Sequence, residues 1–271
     1  MEVIDVAASK GYIYVISKDH KFYYWNYNKN LAHLKLFNDD KKDNQEVIEY
    51  SVLHNNKKIK FNRVFSGKYH TFLLDEEKHV YGFGANQWGQ LGTTFDTDEE
   101  EPVLIKELIQ TPIKEIACGN FHSLFLSESG NVFACGKNDR YQIGFNSESG
   151  SILSPKELKP IKNCVHIACG ANHSMAIVNN NYYSNFVNNK HETTTNNKIY
   201  IEDVSDSLQY ILYGWGDGES YNLGTGSNTC KNILKSIDFK IFVNKYCRPR
   251  KVAIQLKSVE AGNGFTLLLT K

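Results

Sequence analysis

The sequence predicts an all-β protein, a β-propeller with four to five blades, and three observations support this prediction. A pattern of glycine, histidine and apolar residues recurs with a spacing of 51 or 52 residues, which is the signature of a repeat fold. The chain contains 19 glycines, 16 tyrosines and 15 phenylalanines, a composition typical of short strands joined by tight turns. No long segment has the apolar spacing of an amphipathic helix. Radially repeated strand units with periodic glycine and aromatic residues characterise propellers.

The clearest part of the repeat is a Gly-x-x-His tetrad that follows a short apolar strand. Its three strong copies are VFSGKYHTFLL (64–74), IACGNFHSLFL (116–126) and IACGANHSMAI (167–177). A weaker copy within 6–28 has Tyr12 in the histidine position, and another within 259–271 has Phe265 there. Because each tetrad marks one structural unit, we expect five blades or parts of blades.

A second segment follows each strong tetrad and closes on glycine. Its copies are VYGFGANQWGQLG (80–92), VFACGKNDRYQIG (132–144) and LYGWGDGESYNLG (212–224). The closing glycines lie 52 and then 80 residues apart, so an insertion precedes the last copy. We therefore predict a single propeller over 1–271, with repeats at about 3–58, 59–111, 112–163 and 164–255 and a half-repeat at 256–271.

Composition excludes several classes of protein. Lysine and arginine number 31 against 30 acidic residues, which gives a net charge of +1 and excludes a globally basic nucleic-acid binder and an acidic disordered chain. No apolar run is long enough to span a membrane, and MEVIDVAASK does not resemble a secretory signal. These features predict an intracellular protein of the cytoplasm or nucleus.

The six cysteines are predicted to be reduced structural thiols. No two form a C-x-x-C pair, and Cys118 and Cys169 occupy the same place in two copies of Ala-Cys-Gly. Small, repeated cysteines with apolar neighbours are typical of buried thiols rather than of a disulfide framework or a zinc site. The sequence therefore predicts neither a metal nor a cofactor.

The repeat resembles a known family. The order I-A-C-G-x-x-H-S, then V-Y-x-x-G-x-N, then Q-L-G is similar to the regulator of chromosome condensation repeat over nearly the whole chain, apart from 29–58 and the insertions. The resemblance implies a propeller of that type, whose complete rings have seven blades. Four and a half repeats then imply an incomplete ring. Three explanations remain open: missing upstream blades, completion by a second chain, or a tight five-bladed ring.

Within this resemblance, the repeated glycines and histidines have structural roles. A positive φ or a close backbone approach in a crowded turn is expected at Gly67, Gly119, Gly170 and Gly262. Hydrogen bonds near the blade interfaces are expected from His70, His122 and His173. A catalytic or metal-binding role for these histidines is the alternative.

The family resemblance allows several functions, which include exchange factors for a Ran-type GTPase, ubiquitin-ligase accessory domains, an ultraviolet receptor and cilium-linked adaptors. The chain has no nucleophile elbow, Walker-type loop or zinc-protease motif, so we predict no catalytic residue and no enzyme. The resemblance implies that acidic tetrad residues engage the GTPase, and none of the variable tetrad positions here is acidic. We expect a protein-interaction scaffold, with guanine-nucleotide exchange on a Ran-like GTPase as the alternative.

Two segments are candidates for partner binding. Within 239–259 the sequence has six cations and no acid, namely Lys240, Lys245, Arg248, Arg250, Lys251 and Lys257. Residues 179–208 are a low-complexity insertion rich in asparagine, and we expect a flexible surface loop there. The expected partner is a protein, with a small GTPase as one option; chromatin or nucleic acid is not expected without a basic tail, nor is a membrane.

Overall fold

The computed structural model describes residues 1–27, 47–54, 56–146, 150–179, 210–219, 223, 231–236, 256–262 and 266–270. In this part of the chain, strands dominate and each repeat forms one antiparallel sheet, or blade, with its strands in sequence order. A short 3-10 helix, Lys106–Leu108, lies between the second and third blades. The predicted all-β fold is confirmed.

The strand bounds follow the repeats. Blade 1 consists of β1 (Val3–Ala8), β2 (Tyr12–Ser17), β3 (Phe22–Asn26) and β4 (Ile48–Tyr50), and a small hairpin of β5 (Leu53–His54) and β6 (Lys57–Lys58) follows it. Blade 2 consists of β7 (Phe61–Ser66), β8 (His70–Asp75), β9 (Val80–Gly84) and β10 (Glu99–Leu104). Blade 3 consists of β11 (Ile113–Cys118), β12 (His122–Ser127), β13 (Val132–Lys137) and β14 (Ser151–Glu157). Blade 4 consists of β15 (Cys164–Cys169), β16 (His173–Asn179), β17 (Tyr210–Gly216) and β18 (Lys231–Ser236). Blade 5 has two described strands, β19 (Leu256–Ala261) and β20 (Thr266–Thr270).

Strand β8 shows why the blades stack. All six of its residues are buried, because successive side chains of a strand point to opposite faces and both faces are covered. Phe72 and Leu74 join an apolar cluster with blade 3, whereas Leu73 joins a cluster with blade 1. We call the face toward the following blade the trailing face, and the face toward the preceding blade the leading face.

The first strand of each blade is innermost. Strands β1, β7, β11, β15 and β19 contact one another in that order. They surround a cavity of about 650 Å³ that residues from all five blades line. Each of these strands also has a register irregularity, or bulge, at the same repeat position, immediately before Asp5, Arg63, Glu115, His166 and Ser258.

The arc is open within the described residues. Strand β1 pairs with β2 and strand β20 pairs with β19, and no described strand pairing joins blade 1 to blade 5. The prediction of four to five blades in an incomplete propeller is therefore confirmed. Residues 180–208 of the predicted insertion lie outside the described residues. Among the described residues, no helix has the length and apolar character that crossing a bilayer requires.

Strand β13, the third strand of blade 3, requires glycine near its end. Gly136 has a φ of +105°, and a Cβ there would lie 2.5 Å from the carbonyl oxygen of Phe121. We expect Gly136→Ala to lower the free energy of unfolding by about 1–3 kcal/mol, because strain and a main-chain clash combine. The matched control is Gly150→Ala, where a Cβ would meet nothing within 4 Å. Denaturant unfolding measures both variants, and equal stability of the two would contradict the assignment.

Candidate functional site: blade junctions and exposed loops

Each tetrad histidine lies on the trailing face and reaches a hydroxyl of the following blade. The Nε2–hydroxyl distances are 2.8 Å for His70 with Ser123, 3.0 Å for His122 with Ser174 and 3.2 Å for His173 with Thr266. The hydroxyl always belongs to the residue that follows the histidine position of its own repeat. Three of the four junctions therefore contain the same polar contact.

The serine of this contact binds a second group of the preceding blade. Ser123 Oγ donates to the carbonyl oxygen of Gln90 at 2.7 Å, and Ser174 Oγ donates to that of Gln142 at 2.7 Å. Because a hydroxyl has one hydrogen, each serine accepts from the Nε2–H of the histidine. The proton of His70 and of His122 is therefore on Nε2. The Q-L-G and Q-I-G segments of the repeat supply these carbonyls.

Burial keeps the junction histidines neutral. Desolvation lowers the pKa of His70 and of His122 to about 3, from an ordinary value of 6.5. The pKa of His173 falls to about 4 for the same reason, although Asp217 opposes the shift. At neutral pH these rings are hydrogen-bonding groups without charge.

The tetrad glycines allow a close main-chain approach between blades. A Cβ at Gly67 would lie 2.4 Å from the carbonyl oxygen of Gly119, and one at Gly170 would lie 2.5 Å from that of Gly262. The same two carbonyls accept main-chain hydrogen bonds, at 3.2 Å from the N–H of Lys68 and at 3.3 Å from that of Ala171. Of the two expected roles, the structure shows close approach rather than positive φ at Gly67 and Gly170.

The junction between blades 1 and 2 uses a different residue. Tyr12 occupies the histidine position, and the buried Tyr14 two residues further on also reaches blade 2. The Tyr14 hydroxyl bonds Ser9 at 3.1 Å and bonds Thr71. Burial raises the pKa of Tyr14. Sequence comparison missed this contact because Tyr14 lies two positions beyond the tetrad.

Carboxylates at two bulges provide a further contact that the sequence did not indicate. Asp5 Oδ2 accepts from Arg63 Nε and from the N–H of Val64, both at 2.9 Å. Glu115 lies 3.3 Å from His166 Nδ1 and accepts from a main-chain N–H of blade 4. Burial raises the pKa of Glu115, and His166 opposes that shift. These side chains bridge blades 1 and 2 and blades 3 and 4.

Lysine and aromatic side chains meet at the tetrad turns. The rings of Tyr69 and Phe121 stack with centroids 5.0 Å apart across blades 2 and 3. The ammonium groups of Lys68 and Lys10 lie 5.0 Å and 5.4 Å from the centroid of the Tyr69 ring. This lysine–aromatic cluster brings three blades together at the surface.

Of the predicted basic segment, the structure describes the backbone of Lys257, which is in the inner strand β19. The other five predicted partner-binding cations, Lys240, Lys245, Arg248, Arg250 and Lys251, lie outside the described residues. In the described part of the chain, no group of three or more His, Cys, Asp or Glu is arranged to hold a metal ion. The described cysteines, Cys118, Cys135, Cys164 and Cys169, are free thiols.

Comparison with known proteins identifies the repeat. The family model described as "Regulator of chromosome condensation (RCC1) repeat" matches residues 78–126 and 129–177, and a second model of that description matches 113–142. The chain is an RCC1-repeat protein. Its tetrad junctions, bulges and glycine turns are therefore the elements of an RCC1-type propeller arc.

Two curated relatives match this RCC1-repeat chain. The human "Probable E3 ubiquitin-protein ligase HERC4" is 32% identical over 179 residues, which are 66% of this chain and 16% of the ligase. The "Guanine nucleotide exchange factor SRM1" of Saccharomyces cerevisiae is 22% identical over 242 residues, which are 83% of this chain and 43% of SRM1. The chain therefore spans less than half the length of either relative.

A solved structure has the same fold. The crystal structure of Prp20p from Saccharomyces cerevisiae superposes with a TM-score of 0.72 at 19% identity, and the match covers 99% of this chain and 56% of Prp20p. This similarity confirms the predicted RCC1-type fold.

Removing a junction histidine tests its structural role. We expect His122→Ala to lower the free energy of unfolding by about 1–3 kcal/mol, because the Ser174 hydroxyl loses its buried donor. His122→Ala and Ser174→Ala together should cost less than the sum of the single variants, since both remove one contact. The exposed His54→Ala is the control. Unfolding by urea measures these effects, and additive losses would contradict a shared hydrogen bond.

The neutral histidines predict a loss of stability in acid. Above pH about 6.5 they are neutral in both folded and unfolded chains, so they give no pH dependence. Below that pH the unfolded chain binds protons that the folded junctions exclude, and stability falls by about 1.4 kcal/mol per pH unit for each histidine. The fall ends near the folded pKa values, about 3 to 4.

His122→Gln separates this effect from the titration of carboxyl groups. Glutamine retains an N–H donor and does not titrate. Between pH 6 and 4, we expect the slope of unfolding free energy against pH to decrease by about 1.4 kcal/mol per unit. An unchanged slope would show that His122 is protonated in the folded protein.

Proposed function

We propose that this RCC1-repeat protein is a protein-interaction scaffold without catalytic activity of its own. The observation that carries the proposal is that the repeated residues and the variable residues of each repeat lie in different places. The repeated polar groups are buried in the junctions, as in the pair of His122 and Ser174. The residues that vary between repeats lie in the tetrad turns, as with the lysine–aromatic cluster around Tyr69. A rigid frame with variable loops is suited to partner binding.

The basic segment is the proposed partner-binding region. Its six cations, Lys240, Lys245, Arg248, Arg250, Lys251 and Lys257, occur without an acid between them. Such a segment would favour an acidic protein surface and would accelerate encounter at low salt. The free thiols of Cys118 and Cys135 fit a reducing compartment, which supports a location in the cytoplasm or nucleus.

Guanine-nucleotide exchange is the second candidate. It is favoured by the match to SRM1, a named exchange factor, over 83% of this chain. Prp20p, the solved structure with the same fold, has binding properties toward Gsp1p and histones. Against exchange, the described tetrad turns present Lys68, Tyr69, Asn120 and Phe121, none of which is acidic.

Nucleotide release separates the two candidates. A Ran-type GTPase is loaded with a fluorescent guanine nucleotide, and release is followed with and without this protein. The scaffold proposal predicts that the release rate does not change at saturating protein. A large acceleration would overturn the scaffold proposal in favour of exchange.

Binding of an acidic probe tests the basic segment. A fluorescein-labelled oligoglutamate peptide is titrated with the protein, with a variant in which all six cations are glutamine, and with a control variant. In the control, glutamine replaces the exposed lysines Lys57, Lys58, Lys60, Lys106, Lys156 and Lys159. We expect salt-sensitive binding that becomes roughly tenfold weaker only in the first variant. Equal affinities for all three proteins would contradict this assignment.

A further inference from the structure

The two lysines of the lysine–aromatic cluster occupy the same place in adjacent repeats. Lys10 and Lys68 each follow the first residue of their tetrad, and both are exposed. The main-chain N–H of Lys10 donates to the carbonyl oxygen of Lys68 at 3.0 Å. The same position in the other repeats holds Asn120, Ala171 and Asn263, so only the first two repeats have a cation there. The fold therefore brings two lysines side by side at one junction.

Both ammonium groups lie near an aromatic ring rather than near an acid. Among the described residues, no carboxylate forms an ion pair with Lys10 or Lys68, whose shared neighbour is the ring of Tyr69. By contrast, Lys18 and Lys78 pair with glutamates at 2.9 Å and 3.4 Å. The quadrupole of a ring attracts a cation but does not neutralise it. Two positive charges at this junction are therefore available to an anionic group.

The turns that carry the cluster are fixed in place. The main-chain N–H of Lys68 donates to the carbonyl oxygen of Gly119 at 3.2 Å, and that of Ala85 donates to the carbonyl oxygen of Tyr69 at 2.8 Å. The Tyr69 ring also stacks on Phe121 of the next blade. Because the backbone is already ordered, a ligand can bind here without the entropic cost of ordering a loop.

Further aromatic side chains continue the cluster on both sides. Tyr27 is 41% exposed, and its main-chain N–H donates to the carbonyl oxygen of Gly11 in the first tetrad at 3.1 Å. On the other side, the N–H of Lys137 donates to the carbonyl oxygen of Phe121 at 2.8 Å, and its ammonium group lies 4.7 Å from the centroid of the Trp88 ring. Aromatic and lysine side chains thus alternate from blade 1 to blade 3.

This arrangement fits an acidic peptide better than a single-stranded nucleic acid. Stacking of bases needs an open ring face, whereas the Tyr69 ring stacks on Phe121 and has two ammonium groups beside it. Lys137 forms an ion pair with Asp139 at 2.8 Å, so the unpaired charge is concentrated at the two tetrad lysines rather than spread along the strip. A concentrated pair of ammonium groups is complementary to a carboxylate.

We propose that the lysine–aromatic cluster binds an extended acidic peptide segment of a partner protein. One carboxylate of the segment lies between the ammonium groups of Lys10 and Lys68, and a neighbouring apolar side chain packs against Tyr27 and Tyr69. This inference rests on the scaffold function proposed above, and it gives the scaffold a second contact surface that is separate from the basic segment.

Binding of a mixed acidic and apolar probe tests the assignment. A fluorescein-labelled peptide, in which leucine follows every second glutamate, is titrated with the wild type and with Lys10→Gln/Lys68→Gln. The matched control is Lys57→Gln/Lys58→Gln, which removes two exposed lysines of the β5–β6 hairpin. We expect roughly tenfold weaker binding at low salt in the first variant only, with unchanged melting temperatures. Equal affinities for all three proteins would overturn the inference.

Carbodiimide cross-linking locates the bound peptide, because it joins a carboxylate to a lysine amine in contact with it. Mass spectrometry should find the peptide on Lys10 and Lys68. Cross-links confined to 239–259 would overturn this inference and leave the scaffold proposal standing, which nucleotide release tests separately. An oligothymidylate that displaces the peptide, and that binds more weakly to Tyr69→Leu, would identify a nucleic-acid site and also overturn it.

Discussion

The hydrogen-bond relay from histidine to hydroxyl to main-chain carbonyl is the constraint on which the arrangement of blades depends. Apolar contacts between sheets are non-directional and would tolerate sliding of one blade over the next. The relay is directional, because Ser123 must meet His70 and the carbonyl of Gln90 at once. Both partners belong to blade 2, so the hydroxyl of blade 3 has one allowed position. The glycine at 67 is required by the same geometry, since any side chain there would separate the turns.

The sequence predicted the features whose residue types recur at a fixed spacing along the chain. The fold, the order of blades and the tetrad positions were predictable because His70, His122 and His173 recur with their glycines. The contact of Tyr14 with blade 2 was not predictable, because Tyr14 lies two residues beyond the histidine position and reaches blade 2 with a longer side chain. The carboxylate contacts at the bulges were also not predicted, because the repeat determines the backbone geometry of the bulge but not the type of residue that follows it.

The relay also separates the repeated residues, which are buried in the junctions, from the variable residues of the tetrad turns. A histidine that is buried, neutral and bonded through Nε2 acts as a hydrogen-bonding group within the junction, and His122 is 0% exposed. Differences between blades then occur at positions outside the relay, such as the turn that carries Lys68 and Tyr69. Relatives with one fold and different named activities, such as HERC4 and SRM1, are consistent with this separation of frame and function.

The bulge carboxylates divide the arc into doublets. Carboxylates occur at the bulge position in blades 1 and 3, as Asp5 and Glu115, whereas blades 2 and 4 have Arg63 and His166 there. Asp5 and Glu115 can accept a main-chain N–H of the following blade, whereas the guanidinium of Arg63 has no acceptor, so these carboxylates bridge the inner wall within each doublet. In repeat proteins, nearest-neighbour interfaces determine where the array opens. The inner wall is therefore reinforced at alternate seams, and each doublet should resist mechanical load more as a unit than as two separate blades.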